Sequence, residues 1–238
     1  MRTKLVKALL PKSGSKNFFK ILDLYSKIDI WNYLGGYENA NELVRFAKNG
    51  YDDLLVKDHD LSAGDSILVI GAYHGSSIVR WLENYDVEVL AIEPVDTFVE
   101  VLMNKFKDNK LVQIFPIALG NKSGLIDLSV DEYSTSSYGI HGITQRFLVE
   151  DIGQFLKNLK KLPKVMEINI EGGEYDVLQR LIDLDLLRSI DSFVIQFHNF
   201  NIKCEVARAQ IRMELSQTHR CVFNYEWVWE RWEKSDFL

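Results

Sequence analysis

The residues best suited to chemistry fall in five short stretches. The first, LVIGAYHGSS, carries Gly71, Ala72, Tyr73, His74 and Gly75. Glycine and alanine let a backbone approach a ligand closely, and amides exposed at a helix start favour polar or negative groups. The second, AIEP, places Glu93 22 residues after Gly71, with Pro94 beside it. A carboxylate there is suited to accept hydrogen bonds from the vicinal hydroxyls of a ribose. The third, FPIALGNKSG, offers Ala118 and Leu119 as an apolar rest for a purine edge, ahead of a Gly/Asn turn. In the fourth, MEINIEGGEYDVL, Asn169, Glu171 and Glu174 surround the Gly172-Gly173 turn. The fifth, IQFHNF, supplies His198 and Asn199, and an imidazole suits proton transfer near neutrality.

These stretches predict a nucleotide-cofactor site at Gly71, Ala72, Tyr73, His74, Gly75, Glu93, Pro94 and Ala118, and a catalytic group of Asn169, Glu171 and His198. Each has a plainer reading beside it. A glycine turn needs no ligand, an acid at a helix start offsets the dipole, and a lone histidine is often a hydrogen-bonded core residue. Glu174 fits the dipole reading, whereas Glu171 leaves a strand beside a Gly-Gly turn and is harder to explain as a solvated charge. No HxxEH or HxH pairing occurs among the histidines, so zinc is not expected and no metal is assigned. An oxygen-rich magnesium-type site at Glu171, Asn169 and His198 stays open beside the metal-free reading.

What must position these residues is an alternation of strand and helix periods. SILVIGA is short, apolar and β-branched, as a strand buried on both faces is. A helix to about Asn84 follows, then strand VEVLAIEP, helix VDTFVEVLMNKFKD and strand KLVQIFPIAL. Further on come an edge strand GLIDLSV, a helix VEDIGQFLKNLKK, a buried strand PKVMEINI and a helix GEYDVLQRLIDLDLL. In that helix Tyr175, Leu178, Leu181 and Ile182 form one stripe. Strand DSFVIQFHNF, helix CEVARAQIRMELSQT and a closing hairpin in CVFNYEWVWERWE complete the chain. Such β-α-β units imply right-handed crossovers and a parallel sheet covered by helices on both faces. Ligands of these sheets sit beyond the carboxyl ends of the strands, where all five stretches fall. The polar run DEYSTSSYGIHG is long for a connection and suits a lid or a surface loop.

Composition narrows the classes. The chain has 238 residues, 47% of them hydrophobic, and 28 basic against 34 acidic residues. Six of the basic residues, and no acid, lie in the first 20, so the remainder carries 22 against 34, a net of −12. An acidic body argues against nucleic acid as a partner, because phosphate binding needs a basic surface. The leader is expected to be retained, since its apolar run is broken by Lys7 and no small-x-small site follows. With Leu5, Val6, Leu9 and Leu10 on one face it suits an anionic membrane surface or a glycan-assembly partner, or a solubilising arm. Cys204 and Cys221 form no CxxC and read as buried or inert thiols. They fit a reducing compartment, so a cytoplasmic location is expected. No run of 18 apolar residues suggests a membrane span.

The motifs VIGAYHG, AIEP, IALGNKSGLIDLS, STSSYG, INIEGGEYDVL and VIQFH, in this order over residues 66 to 200, resemble the FkbM family of methyltransferases. IEGGEYDVL is the specific block. The resemblance implies S-adenosylmethionine (SAM) as cofactor and O-methylation of a sugar or polyketide hydroxyl, with sugar or glycan the favoured acceptor. It also implies a Rossmann-like α/β fold with a mostly parallel seven-stranded sheet and a C-terminal antiparallel hairpin. A helical N-terminal extension over 1–60 would precede a domain over 61–238. The sequence departs from the family pattern at Val69, at Tyr73-His74, at Glu167-Ile168-Asn169 and at Gln196, where an acid, an Asn-hydrophobic pair, Lys-Ile-Asp and Glu are usual. An NAD-dependent oxidoreductase would share the glycine turn and Glu93, though it should show a stricter GxGxxG. A non-catalytic nucleotide-binding module would suit the altered positions, and an RNA methyltransferase would suit the fold but not the acidic body. Tyr133, Tyr138, Trp227 and Trp229 are either sugar-stacking rings or core.

Overall fold

The computed structural model describes residues 40–50, 53–130, 135–136 and 143–235. Residues 1–39, which hold the basic leader and the first part of the expected helical extension, lie outside the described residues, as do Tyr133 and Tyr138. The chain forms two compact units, Met1–Leu55 with Tyr225–Val228, and Val56–Asn224 with Trp229–Leu238. In the first, helix Ala40–Lys48 places Phe46 edge-on to Tyr225 at 5.1 Å, and Asn49 Nδ2 donates to the Tyr225 hydroxyl at 2.8 Å.

The second unit holds the seven-stranded sheet. Its strands are β1 (Ser66–Ile70), β2 (Glu88–Ile92), β3 (Val112–Phe115), β8 (Val165–Ile168), β9 (Ser192–Ile195), β10 (His219–Tyr225) and β11 (Trp229–Lys234), in the order β10-β11-β9-β8-β1-β2-β3. β1 pairs in parallel with β2 on one side and β8 on the other, and β11 runs antiparallel to β9. The apolar, β-branched run of β1 is what a central strand needs. Ile67, Leu68, Val69 and Ile70 are each 1% exposed or less, and each such side chain contributes about 1.5–3 kcal/mol by leaving water. The strand order reverses between β1 and β8, the two strands whose carboxyl ends carry Gly71 and Asn169. This is the Rossmann-like architecture with a terminal hairpin that the sequence predicts.

The structure corrects three expectations. KLVQIFPIAL is two strands, not one: Pro116 has no N–H to offer a ladder, and the Ile117 N–H turns back to the Phe115 carbonyl at 2.9 Å. After this break β4 (Ala118–Gly120) joins a second sheet, of order β4-β7-β5-β6, with β5 (Gly124–Val130), β6 (Thr135–Ser136) and β7 (Ile143–Asp151). GLIDLSV therefore pairs antiparallel with β7 and is not an edge strand of the main sheet. The helix expected from Val149 starts at Ile152, where Asp151 caps it by accepting the Gln154 N–H at 3.0 Å.

Elsewhere the stripe of helix Glu174–Asp183 runs through Val177, Leu178 and Leu181 and takes in Glu174, while Tyr175 and Ile182 are only half-buried. Cys204 is buried, but Cys221 is exposed on the outermost strand β10. Its thiol is pushed up, chiefly by local desolvation, so it stays protonated without being enclosed. Trp229 is core at 8% exposure. Among the described residues no helix is long and apolar enough to cross a membrane, and no three His, Cys, Asp or Glu side chains are placed to hold a metal.

Candidate active site

A cavity of about 360 Å³ opens beyond the carboxyl ends of β1, β2 and β8, with residues of the second sheet as its opposite wall. That volume suits a small ligand. Of the sequence-predicted residues, Gly71, Tyr73, Glu93, Pro94, Ala118, Asn169 and Glu171 line it, whereas Ala72, His74, Gly75 and His198 do not.

Close approach explains the glycines. Gly71 has φ +91°, and a Cβ there would lie 2.1 Å from the Asn169 carbonyl oxygen. The ends of β1 and β8 can therefore meet only with hydrogen at this position. Gly75, at φ +76°, is held by packing: a Cβ would come within 2.6 Å of the Phe106 ring and 2.8 Å of Leu102. Ala72 is buried, with its N–H on the Ile92 carbonyl at 3.0 Å. His74 is exposed, and its ring stacks on Tyr73 at 3.9 Å.

Glu93 is 4% exposed, yet backbone holds it: Oε2 accepts the Tyr73 N–H at 2.8 Å and Oε1 the Val95 N–H at 3.0 Å. Burial pushes its carboxyl up, against the two N–H groups that favour the charge. The glycine turn and the acid of β2 thus brace each other, with Tyr73 bent into the left-handed region at φ 48°. Pro94 and Ala118 add apolar surface beside Glu93.

The fourth strand end carries a second left-handed residue. Glu171 has φ 48° and Gly172 φ 107°. Of the five left-handed non-glycine residues among the described residues, Tyr73 and Glu171 line the cavity while Asp58, Asp185 and Trp227 do not; strain of this kind occurs in turns and at working sites alike. The Glu171 side chain is 35% exposed, and its Oε1 lies 3.6 Å from His198 Nε2. On the other side of that ring, His198 Nδ1 is 3.2 Å from Glu174 Oε1. Burial disfavours a charge on the imidazole, but the hydrogen bond and charge of Glu174, with Glu171 behind, outweigh it and raise the pKa. His198 therefore stands just behind the cavity wall, reached through Glu171. Asn199 is turned away and donates to Glu205 Oε1 at 3.2 Å.

Several features carry no assignment from the sequence. Asn121, Lys122, Ser123 and Asp176 line the cavity, and Asn121 Nδ2 donates to Asp176 Oδ1 at 3.0 Å. All four lie inside the motifs GNKSG and IEGGEYDVL, which is the signal that could have found them. Glu167 stands where the family usually has lysine, and it faces away from the cavity. It is 3% exposed, and its two oxygens accept from the Ser77 hydroxyl and from Trp81 Nε1, each at 2.6 Å.

The Rossmann-like fold thus brings Gly71, Glu93 and Asn169 to one cavity beyond the strand ends, with His198 behind Glu171. The family described as Methyltransferase FkbM domain matches residues 70–225. The chain belongs to this family of SAM-dependent methyltransferases. Among solved structures it resembles the FkbM methyltransferase of Methylobacillus flagellatus KT, at 12% identity and a TM-score of 0.52, over 82% of this chain and 53% of that one. It thus spans about half the length of that protein. Two weaker likenesses concern the fold alone. SMU.1697c of Streptococcus mutans, solved with S-adenosylhomocysteine (SAH), has 11% identity and a TM-score of 0.48 over 79% and 97% of the two chains. An rRNA methylase of Streptococcus thermophilus has 7% identity and a TM-score of 0.44 over 73% and 89%. No curated protein sequence matches the chain at a significant level.

Proposed function

We propose that this methyltransferase acts on a hydroxyl of a sugar or glycan. The observation that carries the reading is the grouping of Asn169, Glu171 and His198 at and just behind one wall of the cavity that Gly71 and Glu93 also shape. In this reading Glu93 accepts hydrogen bonds from the ribose hydroxyls of the donor. Gly71 and Tyr73 offer it close backbone, and Pro94 and Ala118 rest against its adenine. The residues fit such a group: a Cβ at Gly71 would close the approach, and Glu93 is held in place by two backbone N–H groups. When bound, SAM supplies a reactive sulfonium methyl, for which an acceptor oxygen has to be held in line about 3 Å away.

His198 takes the proton of the acceptor hydroxyl at Nε2, relayed by the Glu171 carboxylate that stands between the ring and the cavity, as that oxygen becomes nucleophilic, a contribution of about 10² to 10⁴-fold. Glu171 and Asn169 orient the hydroxyl. Because the pKa of His198 is raised, turnover should rise with pH on the alkaline side of an ordinary imidazole. The acidic body, net −12 beyond the leader, favours an uncharged acceptor over RNA.

The test is thermal denaturation with SAH, followed by methyl transfer from labelled SAM to a panel of glycosides, amines and RNA. A melting temperature unmoved by millimolar SAH would remove the donor site. Binding without transfer to any glycoside would make the chain a binding module, and transfer to RNA would replace the acceptor class. His198→Ala should spare SAH binding and cut turnover by about 10²-fold or more. Full turnover in that variant would take the base role from His198.

A further inference from the structure

Glu174 has no part in the function proposed above, yet it is the most enclosed carboxylate among the described residues, at 0% exposure. An acid at the first position of a helix ordinarily faces solvent and offsets the dipole. Glu174 instead sends its hydrogen bonds out of its helix. Oε2 accepts the Gly172 N–H at 2.7 Å, and Oε1 accepts the His198 N–H at 2.8 Å and faces His198 Nδ1 at 3.2 Å. Glu230, almost as buried, is neutralised by Arg208 and Arg212. Glu174 has the imidazole as its ionic partner.

Those three contacts join the loop after β8 to the loop after β9. Gly172 directly follows Glu171 and has φ 107°, so the bond to its N–H fixes the bend in which Glu171 is left-handed. The bond to Nδ1 has a chemical consequence. A carboxylate only accepts, and of the two carboxylates facing the ring only Glu174 is within hydrogen-bond distance, so the proton of a neutral imidazole is held on Nδ1, leaving a lone pair on Nε2. Nε2 is the nitrogen that faces Glu171, 3.6 Å away.

The geometry points to Glu174 as a positioning residue: one buried carboxylate sets the tautomer and orientation of His198 and the placement of Glu171. The consequence for turnover rests on the reading of His198 as the base; the clamp itself rests on the hydrogen bonds alone. The charged groups that face the ring are Glu174 and Glu171, with the Phe200 ring alongside and the Tyr175 hydroxyl donating to the His198 carbonyl at 2.7 Å.

Nitrogen-15 NMR of the imidazole in the full-length protein tests this directly. In the unmodified chain at a pH where His198 is neutral, the Nδ1–H tautomer is expected, and the Nε2–H tautomer would overturn the proposal without any variant. Glu174→Gln keeps the shape and removes the charge, and an amide turned toward the ring favours the opposite tautomer. The His198 pKa should fall, the ring should shift toward Nε2–H, and kcat should drop about 10²-fold while SAH affinity stays within about threefold. An unchanged titration and tautomer in that variant would overturn the clamp. If His198→Ala keeps full turnover, the base reading falls, and the tautomer still decides the clamp.

Discussion

The two ends of the parallel strands treat buried carboxylates in opposite ways. At the amino end, Asp65 precedes β1 and is locked by cations: Lys161 Nζ reaches it at 2.8 Å and Lys164 Nζ at 3.1 Å. The Lys161 hydrogen bond, the Ser62 N–H and then Lys164 pull its carboxyl down to about 2. At the carboxyl end Glu93 is held by two backbone N–H groups, and burial pushes it up. The first arrangement spends its charge inside the protein. The second holds a carboxylate with backbone N–H groups, and perturbed carboxyls of this kind are enriched at ligand sites. Strain does not follow the same division: Tyr73 and Glu171 are left-handed at the carboxyl end, and Asp58 is left-handed ahead of β1.

Substitutions at the two ends should therefore separate binding from stability. The largest effect is expected at Gly71→Ala. The 2.1 Å approach to the Asn169 oxygen forces two strand ends apart, costing about 3 kcal/mol or more and abolishing SAH binding. Urea unfolding and calorimetry would show it, and an unmoved urea midpoint would mean the two ends are not tightly joined. Next comes Glu93→Gln, with SAH affinity weakened about 10 to 100-fold by loss of a charged hydrogen-bonding group and the urea midpoint little changed. Equal affinity would erase the contrast between the ends.

Asp65→Asn should do the reverse, leaving turnover intact and lowering stability by about 1 kcal/mol at neutral pH. Its folded pKa is depressed, so its contribution is present above the ordinary value of 3.8 and lost as pH falls toward about 2. Acid titrations of the two proteins should converge there. The smallest effect concerns His198, whose folded pKa is raised above 6.5. Its contribution is full below pH 6.5 and lost as pH rises through the folded value. The stability gap between the parent and His198→Ala should close on the alkaline side.

Local, strongly patterned features are legible in the sequence. SILVIGA can only be a buried strand, the spacing from Gly71 to Glu93 places both at one edge, and CVFNYEWVWERWE reads as the closing hairpin it forms. The second sheet is hidden because its cues are weak and its partners distant. In β7 Thr144, Gln145 and Arg146 are all exposed and only Phe147 is buried nearby, so no alternation announces a strand. Glu174 and Glu167 are opaque for another reason. Composition shows an acid at a helix start or in a strand, but not whether its oxygens meet solvent, a histidine 24 residues away or a tryptophan 86 residues back. Buried polar groups take their meaning from partners that folding brings together.

Pro116 makes the chamber a composite of two separately adjustable halves. The chain crosses there from one sheet to the other, so the wall bearing Gly71, Glu93 and Asn169 is anchored in β1, β2 and β8, while the facing wall hangs on the pairing of Ala118 with Val149 and of Gly124 with Val149. Insertions or register changes in that smaller sheet alter the room in the cavity and leave the strand ends of the larger sheet in place. A lineage can thus remodel one wall of the cavity while inheriting the other unchanged.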